Sequence, residues 1–394
     1  MRASSSLFTQ LLHLVPRGAF QRIVREEGGE RAAKGFTCAT QLVAMLYLHL
    51  AQARSLGEIC DGLRQAGGKL QHLGVAGAPP KSTLAYANQR RPARIYERLF
   101  YATWQALAGD RPGKRRRFRF RNPLLTLDAT VLELCATLFP WARYRQTKGA
   151  AKLHLVLDHD GYLPCYAVLT DGATADVTVA RTLTFPPGSI VVVDRGYSDY
   201  TLYQTWTDAG VYFVTRLKDN AVYTVHSLRA GPRTGGIQRD EVITLSSPYA
   251  QARCQTRLRR LVVLDSTGAA VTLLTNHLTL GATTVSAVYR DRWQVEVFFR
   301  TLKQHLRIKT FVGTSANALA IQVWTALLAV LLLAICRFRS TFAWTVPRLL
   351  ALLRTNLFTY RALRPWLNAP FGTPPERPPT SQLVLLLLPR TTPA

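Results

Sequence analysis

Residues 190–194 read IVVVD, an apolar run that never alternates before it stops at a carboxylate. A strand with one solvated face alternates apolar and polar side chains, whereas a run without alternation suits a strand covered on both faces. Such a strand needs a layer on each side, so the segment points to an α/β sheet. The neighbouring sequence fits that demand. LLTLDAT (Leu124 to Thr130), KLHLVLD (Lys152 to Asp158) and LPCYAVL (Leu163 to Leu169) are β-prone, the last two separated by a turn at Asp160-Gly161. Helical pieces are expected over 174–183 and 200–209, and VYFVTRL (Val211 to Leu217) is a further strand. The order is three strands, helix, strand, helix, strand.

The rest of the chain divides around this unit. Residues 1–109 are mainly helical: TQLVAMLYLHLAQA (Thr40 to Ala53) is an apolar helix, Ser55 with Glu58 makes a capping-box pattern, and Ser82 can cap a later helix. Residues 110–122 form a basic linker, 123–218 the first part of the core, and 219–280 a mostly β insertion containing AVYTVHSL, EVITL, RLVVL and AVTLLT. Residues 281–340 return to the core with one long helix from about Val285 to Arg307, followed by an apolar helix, and 341–394 hold a helical segment and a proline-rich tail.

Charge narrows the partners. The 394 residues carry 50 Lys and Arg against 23 Asp and Glu, a net charge of +27. An excess of that size favours a polyanion: nucleic acid first, an anionic membrane second, with a surface basic only for solubility as the plain alternative. From Arg111 to Arg121, seven of eleven residues are basic and none is acidic. Arg115, Arg116 and Arg117 of this stretch can lie along a phosphate backbone. The segment Ala318 to Cys336 has the length of a membrane span but contains Gln322 and Thr325, and a buried core helix is the expectation. The six scattered cysteines form no C-x-x-C pair, which argues against a zinc site and for a reducing cytoplasm, and no signal peptide is legible at the N-terminus. In the N-terminal region, the helix carrying Asn88, Gln89, Arg90 and Arg91 suits a major groove; a bundle with a solvated basic face is the alternative. Lys148, at the start of the second strand, can touch DNA or simply be solvated.

Three carboxylates carry the chemistry. Asp128 is expected at or near the end of the first strand and Asp194 as the last residue of the buried one, positions where an unpaired charge is costly and where ligands of α/β sheets gather. Two aspartates on adjacent strand ends can share hard metal ions. On the long helix, at about 100° per residue, Tyr289 and Lys303 fall about 20° from Glu296, and Arg292 and Arg300 about 40° away. Ordinary i,i+4 ion pairs would account for Arg292 and Arg300, but not for a stripe that also keeps Tyr289 and Lys303. Two metal ions held by carboxylates suit in-line displacement at a phosphodiester, with the cations holding the backbone in register.

These residues resemble the DDE-type transposases of bacterial insertion sequences, specifically the IS-four (insertion sequence four) group with its YREK signature. Tyr289, Arg292, Glu296 and Lys303 match its third motif at every position; Asp194, Gly196 and Tyr197 match the second, and Asp128, Ala129 and Thr130 the first. The run Tyr212 to Lys218 is similar to the strand after the second motif. The resemblance covers about residues 120–340. It implies a ribonuclease H-like mixed sheet with a mostly β insertion before the last catalytic helix, magnesium or manganese (two ions), and a homodimer holding two transposon ends in a synaptic complex at the bacterial nucleoid. The implied reaction is cut-and-paste transposition: cleavage at terminal inverted repeats, then strand transfer into target double-stranded DNA. A structure-selective nuclease and a transposase-derived DNA-binding repressor are the alternatives. The group's stacking tryptophan has no counterpart between Asp219 and Leu280, which leaves hairpin chemistry open; Tyr223, Tyr249 or Trp293 could substitute.

Overall fold

The structure, a computed structural model, describes residues 5–372 apart from 32, 34, 109–116, 136, 146–147, 230–234, 307 and 309. Six helices come first: α1 (Leu7–Leu12), α2 (Arg17–Glu26), α3 (Cys38–Leu50), α4 (Leu56–Gln65), α5 (Lys81–Arg90) and α6 (Arg94–Ala108). Side-chain caps start three of them, from Ser6 to Thr9 N, Thr37 to Thr40 N and Ser55 to Glu58 N, each satisfying an otherwise orphaned donor. Glu58 reaches back to the N–H of Arg54 at 2.9 Å, so the expected box closes one residue earlier than usual. Ser82 is not a cap, because Pro80 holds that place and α5 begins at Lys81.

The sheet follows: β1 (Leu124–Leu134), β2 (Arg143–Arg145), β3 (Lys148–Asp158), β4 (Leu163–Asp171), α7 (Asp176–Ala180), β5 (Ile190–Val192), α8 (Tyr200–Asp208) and β6 (Tyr212–Arg216). Then come β7 (Tyr223–Leu228), β8 (Ile237–Leu245), α9 (Pro248–Gln251), β9 (Leu258–Leu264) and β10 (Ala270–Thr275). The ten strands form one sheet in the order β2-β3-β1-β5-β6-β10-β9-β8-β7, with β4 also paired to β3. β1 runs antiparallel to β3 and parallel to β5, and β5 is parallel to β6. β7 to β10 extend this sheet, since β10 pairs antiparallel with β6 at Leu273↔Arg216.

Ile190, Val191, Val192 and Val193 are wholly buried. Val191 and Val193 pack with Tyr203 and Trp206 of α8 on one face. Ile190 and Val192 pack on the other with Val285 and Val288 of α10 (Ala282–Asp291). This double cover is why the run does not alternate, and each such side chain contributes roughly 1.5–3 kcal/mol.

The last helices are α11 (Gln294–His305), α12 (Ala316–Phe338), α13 (Val346–Asn356) and α14 (Leu363–Asn368). The expected single helix over 285–307 is therefore two. At the junction the backbone bonds tighten to i→i+3, from Trp293 N to Arg290 O and from Glu296 N to Trp293 O. α12 is long and apolar enough to cross a bilayer, yet 94% of its most apolar window is buried inside the protein. It packs on α3, α5, α6, α13 and β4. Its polar residues have partners: Gln322 bonds Val312 N and Thr310 O, and Thr325 meets His49 at 3.0 Å. One hydrophobic cluster joins α1–α6 to the far ends of β1 and β3 and to α11–α14. The N-terminal helices therefore share the core of the molecule. α1 is further tied to the C-terminal part by Leu7 N to Thr359 O at 3.0 Å and Phe8 N to Leu357 O at 2.8 Å.

Candidate active site

Asp128 lies in the middle of β1, not at its end as the sequence pattern implied. The difference comes from pairing. The antiparallel partner β3 accompanies β1 to Leu134, whereas the parallel partner β5 stops at Val192 opposite Thr126. Asp128 is thus the first residue of its face beyond the end of β5, where the sheet opens. Asp194 is two residues past β5 rather than its last residue; it caps a 3₁₀ turn over Arg195–Tyr197 by accepting from Gly196 N at 2.8 Å. A Cβ at position 196 would stand 3.0 Å from Asp194 Oδ1, a tight approach that a larger residue would have to relieve by shifting that carboxylate. Thr215 of β6 donates to the Asp194 carbonyl at 3.0 Å and pins the turn.

Glu296 enters from the first turn of α11. An open cleft of about 350 Å³ is lined by Asp128, Ala129, Thr130, Glu296, Phe299, Arg300, Lys303 and Gln304. Burial pushes the Asp128 carboxyl up to about 6. The Ala129 N–H and Arg292 oppose that rise, while the charges of Asp194 and Glu296 add to it. Arg292 bridges the two sides, with Nη1 3.2 Å from Asp128 Oδ2 and Nη2 2.8 Å from Glu296 Oε1. Among the described residues no three His, Cys, Asp or Glu side chains converge closely enough to chelate one ion. The donor set fits a hard divalent cation all the same: Asp128 and Glu296 face one opening, Asp194 lies close enough for its charge to act on Asp128, and burial strains the ionised form of Asp128.

The other expected contacts separate. Arg300 and Lys303 line the cleft, Arg300 exposed and Lys303 half-buried. Tyr289 is half-buried, its ring 5.9 Å from the Arg292 guanidinium. Arg292, expected to hold DNA, is bonded instead to two carboxylates with 15% of its side chain exposed. Arg91 is a clear departure. It donates to Gln41 Oε1 at 3.1 Å and to Phe36 O and stands 3.9 Å from Glu30, partners that let all but 12% of its side chain be buried. Asn88 is likewise buried, bonded to Gln41 at 2.8 Å. Arg90 stays exposed over the Tyr86 ring. Arg115, Arg116 and the side chain of Lys148 lie outside the described residues.

One cluster beside the site has no sequence signature. Asp291, the last residue of α10, has a fully buried side chain. It accepts from His159 Nδ1 at 2.7 Å, from Tyr162 OH at 3.0 Å and from Arg117. His159 Nε2 lies 2.6 Å from Thr126 Oγ1. In the sequence Asp291 reads as one more surface charge between two arginines.

An α/β sheet with one carboxylate on a strand where its neighbour stops, a second just past that neighbour and a third on a flanking helix fits a class of metal-dependent phosphodiester enzymes. A family model described as the transposase DDE domain matches residues 119–332, which include Asp128, Asp194 and Glu296. A domain of unknown function (DUF4372) matches residues 3–76. The protein y4zB of Sinorhizobium fredii, named as a transposase, is 30% identical over 82% of this chain and 90% of its own length. A protein named as the transposase for insertion sequence element IS5377 of Geobacillus stearothermophilus is 33% identical over 56% of this chain and 58% of its own. A solved piggyBac transposase synaptic complex with hairpin DNA covers 89% of this chain and 84% of that one at a TM-score of 0.38 and 10% identity, a likeness too distant to interpret. The chain belongs to the DDE transposases: it is an enzyme that acts on DNA and depends on divalent metal.

Proposed function

We propose that the chain is a cut-and-paste transposase of the IS-four group, built on a ribonuclease H-like core. The central order β4-β3-β1-β5-β6, with antiparallel, antiparallel, parallel and parallel pairings, supports that core assignment. The observation that carries the functional reading is the meeting of Asp128, Glu296, Arg292 and Lys303 around one cleft, with Asp194 on the next strand end. Asp128, Asp194 and Glu296 would hold two magnesium or manganese ions, which when bound supply the charge that activates an attacking oxygen and stabilises a leaving one.

The chain's own residues do the rest. Arg300 and Lys303 hold the phosphodiester against the cleft as paired cations. Arg292 neutralises the carboxylates until the metal arrives, and its guanidinium is then available to phosphate. The exposed face of α5, with Lys81, Tyr86, Gln89 and Arg90, is the surface offered to the terminal repeats. A homodimer pairing two ends is the working assembly.

The test is cleavage of DNA carrying the element's own terminal repeats in Mg²⁺. Asp194→Ala should abolish cleavage while keeping the wild-type melting temperature. Retained cleavage would overturn the assignment. A strand-transfer assay with a free 3′-hydroxyl separates a transposase from a structure-selective nuclease.

A further inference from the structure

The buried cluster around Asp291 links four parts of the molecule. His159, in the β3–β4 turn, bonds Thr126 on β1 through one ring nitrogen and Asp291 on α10 through the other. Asp291 is ionised and only accepts, so Nδ1 carries the hydrogen. The backbone of His159 is also fixed to β1, its N–H donating to Leu124 O at 3.0 Å. Thr126 precedes Asp128 by one strand period and shares its face. Asp291 immediately precedes Arg292, which bonds Asp128 itself. The α10–α11 junction is therefore tied to β1 at two consecutive positions of one face, through His159 at Thr126 and through Arg292 at Asp128. That junction is also where the helix tightens before Glu296. Arg117 adds a fourth tie, from a segment whose Phe118 and Phe120 stack at 5.3 Å and pack against the cluster holding Val285 and Val288.

We propose that Thr126, His159 and Asp291 form a positioning clamp that sets the Glu296 helix against the Asp128 strand. None of the three touches the reacting atoms; they act through Asp128, Arg292 and Glu296. This rests on the function proposed above. The 3₁₀ turn interrupts the i→i+4 ladder just before Glu296, so the buried face of α11 and the ties at the junction together set where its carboxylate points. The Thr126–His159–Asp291 chain is short, buried and bonded at each joint, as supports of metal ligands are.

The test uses the full-length chain with Thr126→Val, Asp291→Asn and the double variant, and Mn²⁺ as the metal probe. Thr126→Val is nearly isosteric and removes only the hydroxyl that His159 meets, so it keeps the test valid if Asp291→Asn folds poorly. Mn²⁺ affinity is read by electron paramagnetic resonance, and cleavage of end DNA and affinity for it are read separately. The clamp predicts about tenfold weaker Mn²⁺ binding and at least about tenfold slower cleavage. End-DNA affinity should stay within about twofold, and the double variant should be no worse than the worse single one. Mn²⁺ affinity unchanged in Thr126→Val, or losses that multiply in the double variant, would overturn it. A wild-type chain that binds Mn²⁺ but does not cleave would instead sink the transposase assignment, and the clamp would still be judged on Mn²⁺ affinity.

Discussion

Replacing Asp128 by Asn tests the site without any DNA. In the folded chain the Asp128 carboxyl is pushed from 3.8 to about 6, chiefly by burial. A raised value means that the folded state prefers the neutral acid. Its contribution to stability is complete below pH 3.8 and is lost as the pH rises through about 6. Holding the group ionised at neutral pH then costs about 3 kcal/mol, at 1.36 kcal/mol for each tenfold change in ionisation. Asparagine keeps the shape and removes the charge, while Arg292 keeps Glu296 as a partner. The metal-free variant at pH 7.5 should thus be more stable than wild type by up to about 3 kcal/mol. At about 2.1 cal/mol/K of unfolding entropy per residue, this is a rise in Tm of roughly 4 °C for the whole chain. The assay is thermal denaturation from pH 4 to 8 with and without Mg²⁺. Wild type should gain stability from Mg²⁺ above pH 6 and little at pH 4.5, where a proton occupies the metal's place. The variant should start higher, gain nothing and cleave nothing. A lower Tm for the variant at pH 7.5, or a full Mg²⁺ gain for wild type at pH 4.5, would refute the electrostatic account.

Other substitutions test separate features. Arg300→Ala and Lys303→Ala should each lower the dependence of DNA affinity on salt by about one ion, measured as the slope of log K against log salt, with Tm unchanged. Asp240→Asn strips the buried Arg259 of its bidentate partner, at 2.8 and 2.6 Å, and should cost about 3–5 kcal/mol in urea denaturation. Gln322→Leu leaves the part-buried Val312 N and Thr310 O without that partner, a loss of about 1–3 kcal/mol by the same assay. Arg91→Ala should destabilise the chain by more than 1 kcal/mol, whereas Arg90→Ala should weaken DNA binding and leave stability alone.

The residues say most about this molecule where periodicity has a physical cause. The run of four apolar residues before Asp194 is unbroken because α8 and α10 cover opposite faces of β5. The Gly at 196 sits where a side chain would crowd the Asp194 carboxylate. What sequence could not show is where one strand outlasts its neighbour. Asp128 looked terminal because the apolar run Leu124 to Leu127 stops at its carboxylate, yet β3 carries β1 onward for six more residues. The same limit hid Arg91, whose charge reads as solvent-facing until Phe36 and Gln41 fold over it. It also hid the helix break at Arg292–Trp293, since no proline or glycine marks it and the apolar period runs straight through. The Asp291 cluster was invisible for a related reason: its members come from positions 117, 126, 159, 162 and 291 and have no common spacing.

The core that α12 shares with the first six helices sets a timetable for synthesis. α3 and α6 leave the ribosome with apolar faces whose partner is still about two hundred residues away in the chain. At translation rates of about 5–20 residues per second, those faces wait roughly 10–50 s before α12 can cover them. The latch between α1 and residues 357–359 forms only after residue 359 has emerged, later still than α12. A polypeptide truncated before α12 leaves the apolar faces of α3 and α6 without the helix that covers them, so the N-terminal helices reach their final packing only once α12 has been made.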